Sequence, residues 1–205
     1  MTSDDYIDSH IDREPDELRR LYRRTHLERL YPRMCTDHAQ GRMLVMLTRM
    51  IRPHRILELG TFTGYSALCF AEGMPEGCVV DTVEVDDEYA GELLSLFEGR
   101  PINLHIGDAE KLLPELLARN TYDMVFIDAN KRRYMEYYNL VLPAIPSGAY
   151  ILADNTLWGG KVLDDDAHDP QTDGIRAFND FVAADSRVEK VIIPVRDGLT
   201  LIRKK

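Results

Sequence analysis

Asp128, Asp154 and Asn155 are hard oxygen donors that follow two apolar runs, in F-I-D-A-N-K at 126–131 and L-A-D-N-T at 152–156. Lys131 comes three residues after the first acid. Such donors suit Mg²⁺ or a relative, where cysteine and histidine would suit zinc. The runs before them, Tyr122–Ile127 and Ala149–Ala153, have the length and apolar content of buried strands. In an open parallel sheet the carboxyl ends of the strands line one rim, and ligands bind there. Two neighbouring tips would bring these oxygens together. Ordinary alternatives exist: Lys131 could pair at the surface with Asp128 or Glu136, and Asp154-Asn155 could be a turn or a helix N-cap.

A second group of residues follows Arg55–Leu59, in E-L-G-T-F-T-G-Y-S at 58–66. Gly60 and Gly64 bracket a predicted strand-to-helix turn, where glycine lets the backbone approach a ligand and the helix N-terminus offers free N–H groups. The dinucleotide fingerprint G-x-G-x-x-G is absent, which argues against a nicotinamide cofactor. Glu58 would repel a pyrophosphate and suit an ammonium group. Glu84, near the end of V-E-V-D-D, could accept hydrogen bonds from both hydroxyls of a ribose. In G-D-A at 107–109, Asp108 and Ala109 could border an adenine, and Asp108 could also cap a helix. Trp158 and Tyr65 are candidate walls around an aromatic or cationic ligand, or ordinary packing.

These residues need a scaffold, and the chain supplies one by alternation. Arg55–Leu59, Val79–Val85, Ile102–Ile106, Tyr122–Ile127 and Ala149–Ala153 read as strands. Helical patterns lie between them at Tyr65–Glu72, Asp87–Phe97 and Tyr134–Leu142, and two more precede them at about Pro15–Leu30 and Asp37–Ile51. Alternation of this kind predicts an α/β fold with a parallel sheet and right-handed crossovers. In the 37–51 helix Met43, Met46 and Met50 share a face, which suggests core or dimer packing. The tail differs: Val188–Pro194 and Leu199–Ile202 flank Asp197-Gly198, a hairpin-turn pair, so the last strand should run antiparallel.

Composition narrows the function. The 205 residues carry a net charge of −10, which argues against an electrostatic grip on nucleic acid. Arg19, Arg20, Arg23 and Arg24 form a local basic cluster, read as a solvated helix face or, alternatively, a patch for an anionic substrate tail. Cys35, Cys69 and Cys78 show no C-x-x-C spacing, so neither a disulfide framework nor a zinc ribbon is expected. Asp164–Asp166 with His168 and Asp169 follow no strand end and read as a solvated loop. The acidic start, M-T-S-D-D-Y, lacks the apolar run of a signal peptide, and no stretch has the length of a membrane span. The expected compartment is the cytoplasm.

Taken together, E-L-G-T-F-T-G-Y-S, G-D-A, Y-D-M-V-F-I-D-A-N-K, L-A-D-N-T-L-W-G-G and I-P-V-R-D-G-L-T-L resemble the cation-dependent class I S-adenosylmethionine O-methyltransferases, the group of catechol and caffeoyl-CoA enzymes, in its bacterial branch. The resemblance runs from about Thr36 to the C-terminus. It implies a Rossmann-like, seven-stranded, mostly parallel sheet with an antiparallel last strand and helices on both faces. It also implies one domain over 1–205, with 1–35 a helical segment for substrate or dimer contacts.

By the same resemblance Thr36, Glu58, Gly60, Thr61, Ser66, Glu84, Asp108 and Ala109 would contact S-adenosylmethionine, with Asp128 and Asn130 beside them. Asp128, Asp154 and Asn155 would hold Mg²⁺ or another divalent cation such as Ca²⁺ or Mn²⁺. Lys131 would be the base that deprotonates a catechol-like vicinal diol, with Trp158 against the substrate. Two departures stand out. Asn130 replaces an Asp common in relatives, and Gly159 replaces the Asn of plant enzymes, which argues against a caffeoyl-CoA preference. The relatives imply a homodimer. Alternatives are transfer to a different acceptor class, or a donor-binding dimer without catalysis. A nucleic-acid methyltransferase would need a basic face and an N-P-P-Y-like motif, and neither is present.

Overall fold

The computed structural model describes residues 1–205, and the side chains of all of them but Asp4. Seven strands form one sheet: β1 Arg55–Leu59, β2 Val79–Glu84, β3 Ile102–Ile106, β4 Met124–Ile127, β5 Tyr150–Ala153, β6 Val188–Ile193 and β7 Leu199–Lys204. Their order is β3-β2-β1-β4-β5-β7-β6. The first five pair in parallel, while β7 is antiparallel to both β5 and β6. The order in which strands are added to the sheet reverses between β1 and β4, which opens a crevice at the carboxyl ends of those two parallel strands.

The central strands are apolar on both faces because both faces are covered. In β4, Met124 and Phe126 pack into one core, and Val125 and Ile127 into the other. The first core lies under α2 Asp16–Glu28, α3 His38–Ile51, α4 Tyr65–Gly73 and α5 Ala90–Phe97. The second lies under α6 Ala109–Arg119, α7 Tyr134–Ala144 and α8 Pro170–Ala184. A short helix, α1 Ser3–His10, precedes these and is closed by a Thr2–Asp5 capping box.

The strands sit where the sequence patterns put them, with β1 and β3 matching to the residue. Two helices, α1 and α8, went unpredicted, and of α6 only the cap at Asp108 was expected. The methionine stripe needs correcting as core. On α3 the buried face is Gln40, Leu44, Val45 and Thr48, while Met46 and Met50 are exposed. The Arg19–Arg24 cluster lies on an exposed part of α2, where Arg19 pairs with Asp16, and none of its members lines the main cavity.

Candidate functional site

One cavity of about 1060 Å³ lies over the carboxyl ends of β1, β2, β4 and β5. Its wall includes Thr36, Gly60, Thr61, Ser66, Glu84, Asp108, Ala109, Asp128, Asn130, Lys131, Asp154, Asn155 and Trp158. Every candidate residue except Glu58 therefore meets in one space.

The floor on the β1 side is the glycine turn. Gly60 has φ +100, and a Cβ there would stand 2.1 Å from the Asp128 carbonyl oxygen, so only glycine lets β1 turn beside the β4 tip. Glu84 is held by two backbone donors: Phe62 N–H at 2.7 Å and Asp86 N–H at 2.9 Å. A carboxylate has about four acceptor positions, so both oxygens keep capacity for a diol. Asp108 caps α6 through the Glu110 N–H and lines the cavity as well. The two expected roles are thus compatible in space.

Glu58 is placed differently. It is fully buried behind Thr61 and Ser66, and it takes a hydrogen bond from Thr82 Oγ1 at 2.5 Å. Its Oε1 has no partner. Burial pushes this carboxyl up to about 8, against the lowering effect of Ser66 and Thr82. A buried acid with an open oxygen next to a cavity wall is ready for a cationic neighbour.

At the β4 and β5 tips the acids converge. Lys131 is buried, and its Nζ donates to Asp128 Oδ1 at 2.5 Å and to Tyr134 Oη at 2.7 Å. It is therefore no surface lysine. Asp154 is 2 % exposed, and burial followed by the Asp128 charge pushes it up to about 6, with Lys131 opposing. One ammonium thus serves two carboxylates, and the donor set of two acids and an amide fits a hard divalent cation in charge and chemistry. Among the described residues, no group of three or more His, Cys, Asp or Glu could hold a metal.

Three participants had no local signal in the sequence. Tyr134 is buried and its hydroxyl lies 3.0 Å from the carbonyls of both Ile127 and Asp154, tying the two strand tips together. Gln40 is fully buried on α3, and Arg196 reaches it from the turn between β6 and β7. The segment 30–36 forms the roof, with Leu30, Tyr31 and Met34 lining the cavity while remaining largely exposed. Tyr65 also lines the cavity, and its hydroxyl donates to Glu14.

Comparison with known proteins supplies independent evidence. A family model described as O-methyltransferase matches residues 8–205, a wider span than the motifs alone suggested. A Dictyostelium discoideum protein named "Probable caffeoyl-CoA O-methyltransferase 2" is 38% identical over 179 residues, covering 83% of this chain and 78% of the relative. Caffeoyl-CoA O-methyltransferase 1 of Zea mays is 35% identical over 208 residues, covering 94% and 80%. Among solved structures, the O-methyltransferase TomG of Streptomyces achromogenes, involved in tomaymycin synthesis and seen in complex with SAM, superposes with a TM-score of 0.89 at 31% identity, covering 98% of this chain and 95% of that one. The O-methyltransferase from Bacillus cereus in complex with SAH gives 0.89 at 27%, covering 98% and 96%.

Proposed function

The chain belongs to the O-methyltransferase family, as a SAM-dependent enzyme akin to the caffeoyl-CoA O-methyltransferases, and from that premise we propose transfer of the methyl group to one oxygen of a catechol-like vicinal diol, assisted by a divalent cation. The observation that carries this reading is the single cavity in which the β1 glycine turn faces Asp128, Lys131, Asp154 and Asn155.

The donor would lie over the Gly60–Ser66 turn, with its ribose on Glu84, its adenine beside Asp108 and Ala109, and Thr36 above it. Thr61 and Ser66 separate it from Glu58, whose open oxygen favours the ammonium end at that side. Asp128, Asp154 and Asn155 would hold the cation. When bound, such an ion lowers the pKa of a phenol from about 10 and fixes the orientation of the diol. Lys131 Nζ would accept the phenolic proton, a role that requires the side chain to enter the step as the neutral amine, its proton released beforehand to solvent. A divalent cation beside it would favour that state, while Tyr134 Oη stays within hydrogen-bond reach of Nζ. The acceptor oxygen then bonds to the methyl carbon as the carbon–sulfur bond breaks, and the electron pair stays on sulfur. Holding both reactants on one rigid rim supplies the remaining rate.

The exposed roof residues Leu30, Tyr31 and Met34, together with Trp158 and the glycines after it, are where acceptor choice would be made. Exposed Leu27, Met46 and Met50 are compatible with a homodimer built on the N-terminal helices.

The decisive experiment is a panel of catechols and matched monophenols, incubated with SAM and the purified chain and read by mass spectrometry. Methylated catechol should form with Mg²⁺ and vanish in excess chelator, and monophenols should stay unmodified. Full activity in chelator would remove the cation from the account. In the same assay Lys131→Ala should lower kcat by roughly 10²–10⁴-fold if Nζ is the base.

A further inference from the structure

Arg196 stands in the turn 194–198 between β6 and β7, and its backbone is left-handed, with φ 47. That conformation is unfavourable for arginine and free for glycine. The side chain indicates why arginine is kept there. Nη1 donates to the Cys35 carbonyl at 3.2 Å and to Gln40 Oε1 at 2.7 Å. Nη2 donates to the Arg33 carbonyl at 3.3 Å, and Nε lies 3.2 Å from Asp37 Oδ2. All four partners belong to the stretch 33–40, whose first part roofs the cavity through Arg33, Met34, Cys35 and Thr36.

The same turn holds the opposite wall. The Asp197 carbonyl accepts from Leu157 N–H at 2.6 Å, and the Gly198 carbonyl accepts from Thr156 N–H at 3.0 Å. Those residues come directly after Asp154 and Asn155. One turn therefore braces the loop of the candidate cation ligands with its backbone, and the roof with its one guanidinium. A planar guanidinium fork presents five donors in fixed directions, where an ammonium has three on one point charge.

We propose that Arg196 is a positioning residue, a latch that holds the 33–37 segment and its Thr36 over the methyl donor and keeps it in register with the Asp154–Asn155 loop. This rests on the reading of the cavity as the donor site. Arg196 also borders the cavity, and the role proposed for it runs through its bonds to the roof. Losing it would leave the turn intact, or relaxed, and let the roof lift.

The test compares the full-length chain with Arg196→Gly and Arg196→Lys. Calorimetry would measure SAH binding, steady-state kinetics the KM for SAM and kcat, and thermal unfolding the fold. Arg196→Gly should bind SAH at least tenfold more weakly and raise the KM for SAM by a similar factor, with a smaller change in kcat and a Tm within about 3 °C of the parent. Arg196→Lys, which keeps the charge opposite Asp37, should recover part of that loss. Equal SAH affinity in parent and Arg196→Gly would overturn the latch while leaving the donor site standing. A parent chain that binds no SAH would overturn the donor site, and the latch with it. Should Arg196→Gly fail to fold, Arg196→Lys decides: at unchanged Tm it must lose at least threefold in affinity, and parental affinity overturns the proposal.

Discussion

Two buried acids sit one register position apart in the sheet and have opposite surroundings. Asp81 on β2 faces the core under α6 and α7, where it accepts from Arg55 Nε at 2.6 Å, His105 Nε2 at 2.9 Å, Asn103 Nδ2 at 3.0 Å and Tyr122 Oη at 3.1 Å. Burial would raise its pKa, but His105, Arg55 and Asn103 outweigh burial and hold it well below the usual carboxylate range. Glu58 on β1 faces the other core with one hydroxyl donor and one open oxygen. Each acid is almost fully buried, so depth alone does not separate them. What separates them is satisfaction. Asp81 is satisfied by its own fold, away from the cavity, while Glu58 lies behind the cavity wall with Oε1 unpartnered.

That contrast breaks most visibly in stability. Asp81→Ala would leave the half-buried guanidinium of Arg55 and the polar groups of His105, Asn103 and Tyr122 without their shared acceptor. Removing one member of a buried charged network costs about 3–5 kcal/mol. Urea unfolding should report a loss of that size. SAH affinity, measured under conditions where the variant is still folded, should change less than twofold, because nothing in the Asp81 network lines the cavity. A selective loss of SAH binding at unchanged stability would erase the distinction between the two acids.

Glu58→Gln should do the reverse. The amide keeps the shape and can still take the Thr82 hydrogen bond, and it carries no charge to desolvate. SAH binding should weaken about tenfold, equivalent to about 1.4 kcal/mol, if the open oxygen serves the donor's ammonium. At pH 8 the free variant should melt higher than the parent by at least about 2 °C, the shift that roughly 1 kcal/mol produces in a domain of this size. Weaker binding together with higher stability is the signature of an unsatisfied functional group. A variant that loses both would make Glu58 structural.

The same contrast explains what could be read from the chain and what could not. Strand tips were legible because a strand buried on both faces is an uninterrupted apolar run, and the residue that ends it is conspicuous. Asp128 and Asp154 stand out in that way, Glu84 and Asp108 by the V-E-V-D-D and G-D-A motifs after more polar strands, and all four line the cavity. The place of Glu58 before Gly60 predicts a neighbour for an ammonium group but not its depth: side chains alternate across a strand, and this one turns inward. α8 had a visible start, Asp169 capping a helix with Pro170 in its first turn, which the acidic run beside it obscured. α6 carries Pro114 inside its span, which breaks the helical pattern. Arg196 stands in the I-P-V-R-D-G-L-T-L motif, but nothing in that stretch gives its side chain a role. Its partners lie 156 to 163 residues away, and only the closed sheet brings them together.

The smallest and most diagnostic effect is in pH dependence, where the two acids pull in opposite directions. Asp81 has a folded pKa below its ordinary 3.8, so its contribution to stability is present above that value and is lost as the pH falls below it. Glu58 has a folded pKa of about 8 against an ordinary 4.5, so between those values the folded chain binds more protons than the unfolded one. Stability from this group therefore declines as the pH rises from 4.5 to 8. Asp154 adds a decline of the same sign, but with a folded value of about 6 it is complete by about pH 7. A melting series of the free chain between pH 7 and 8.5 covers the Glu58 decline. The buried thiols Cys35, Cys69 and Cys78, whose pKa values burial raises, add a decline common to parent and variant, so the difference between parent and Glu58→Gln isolates Glu58. The parent should lose stability across that window, and Glu58→Gln should be flatter by a measurable slope. Saturating SAH should flatten the parent too, because an ammonium beside Glu58 lowers its folded pKa and removes the proton difference. If the slope survives both the substitution and the ligand, the open oxygen faces something other than the donor.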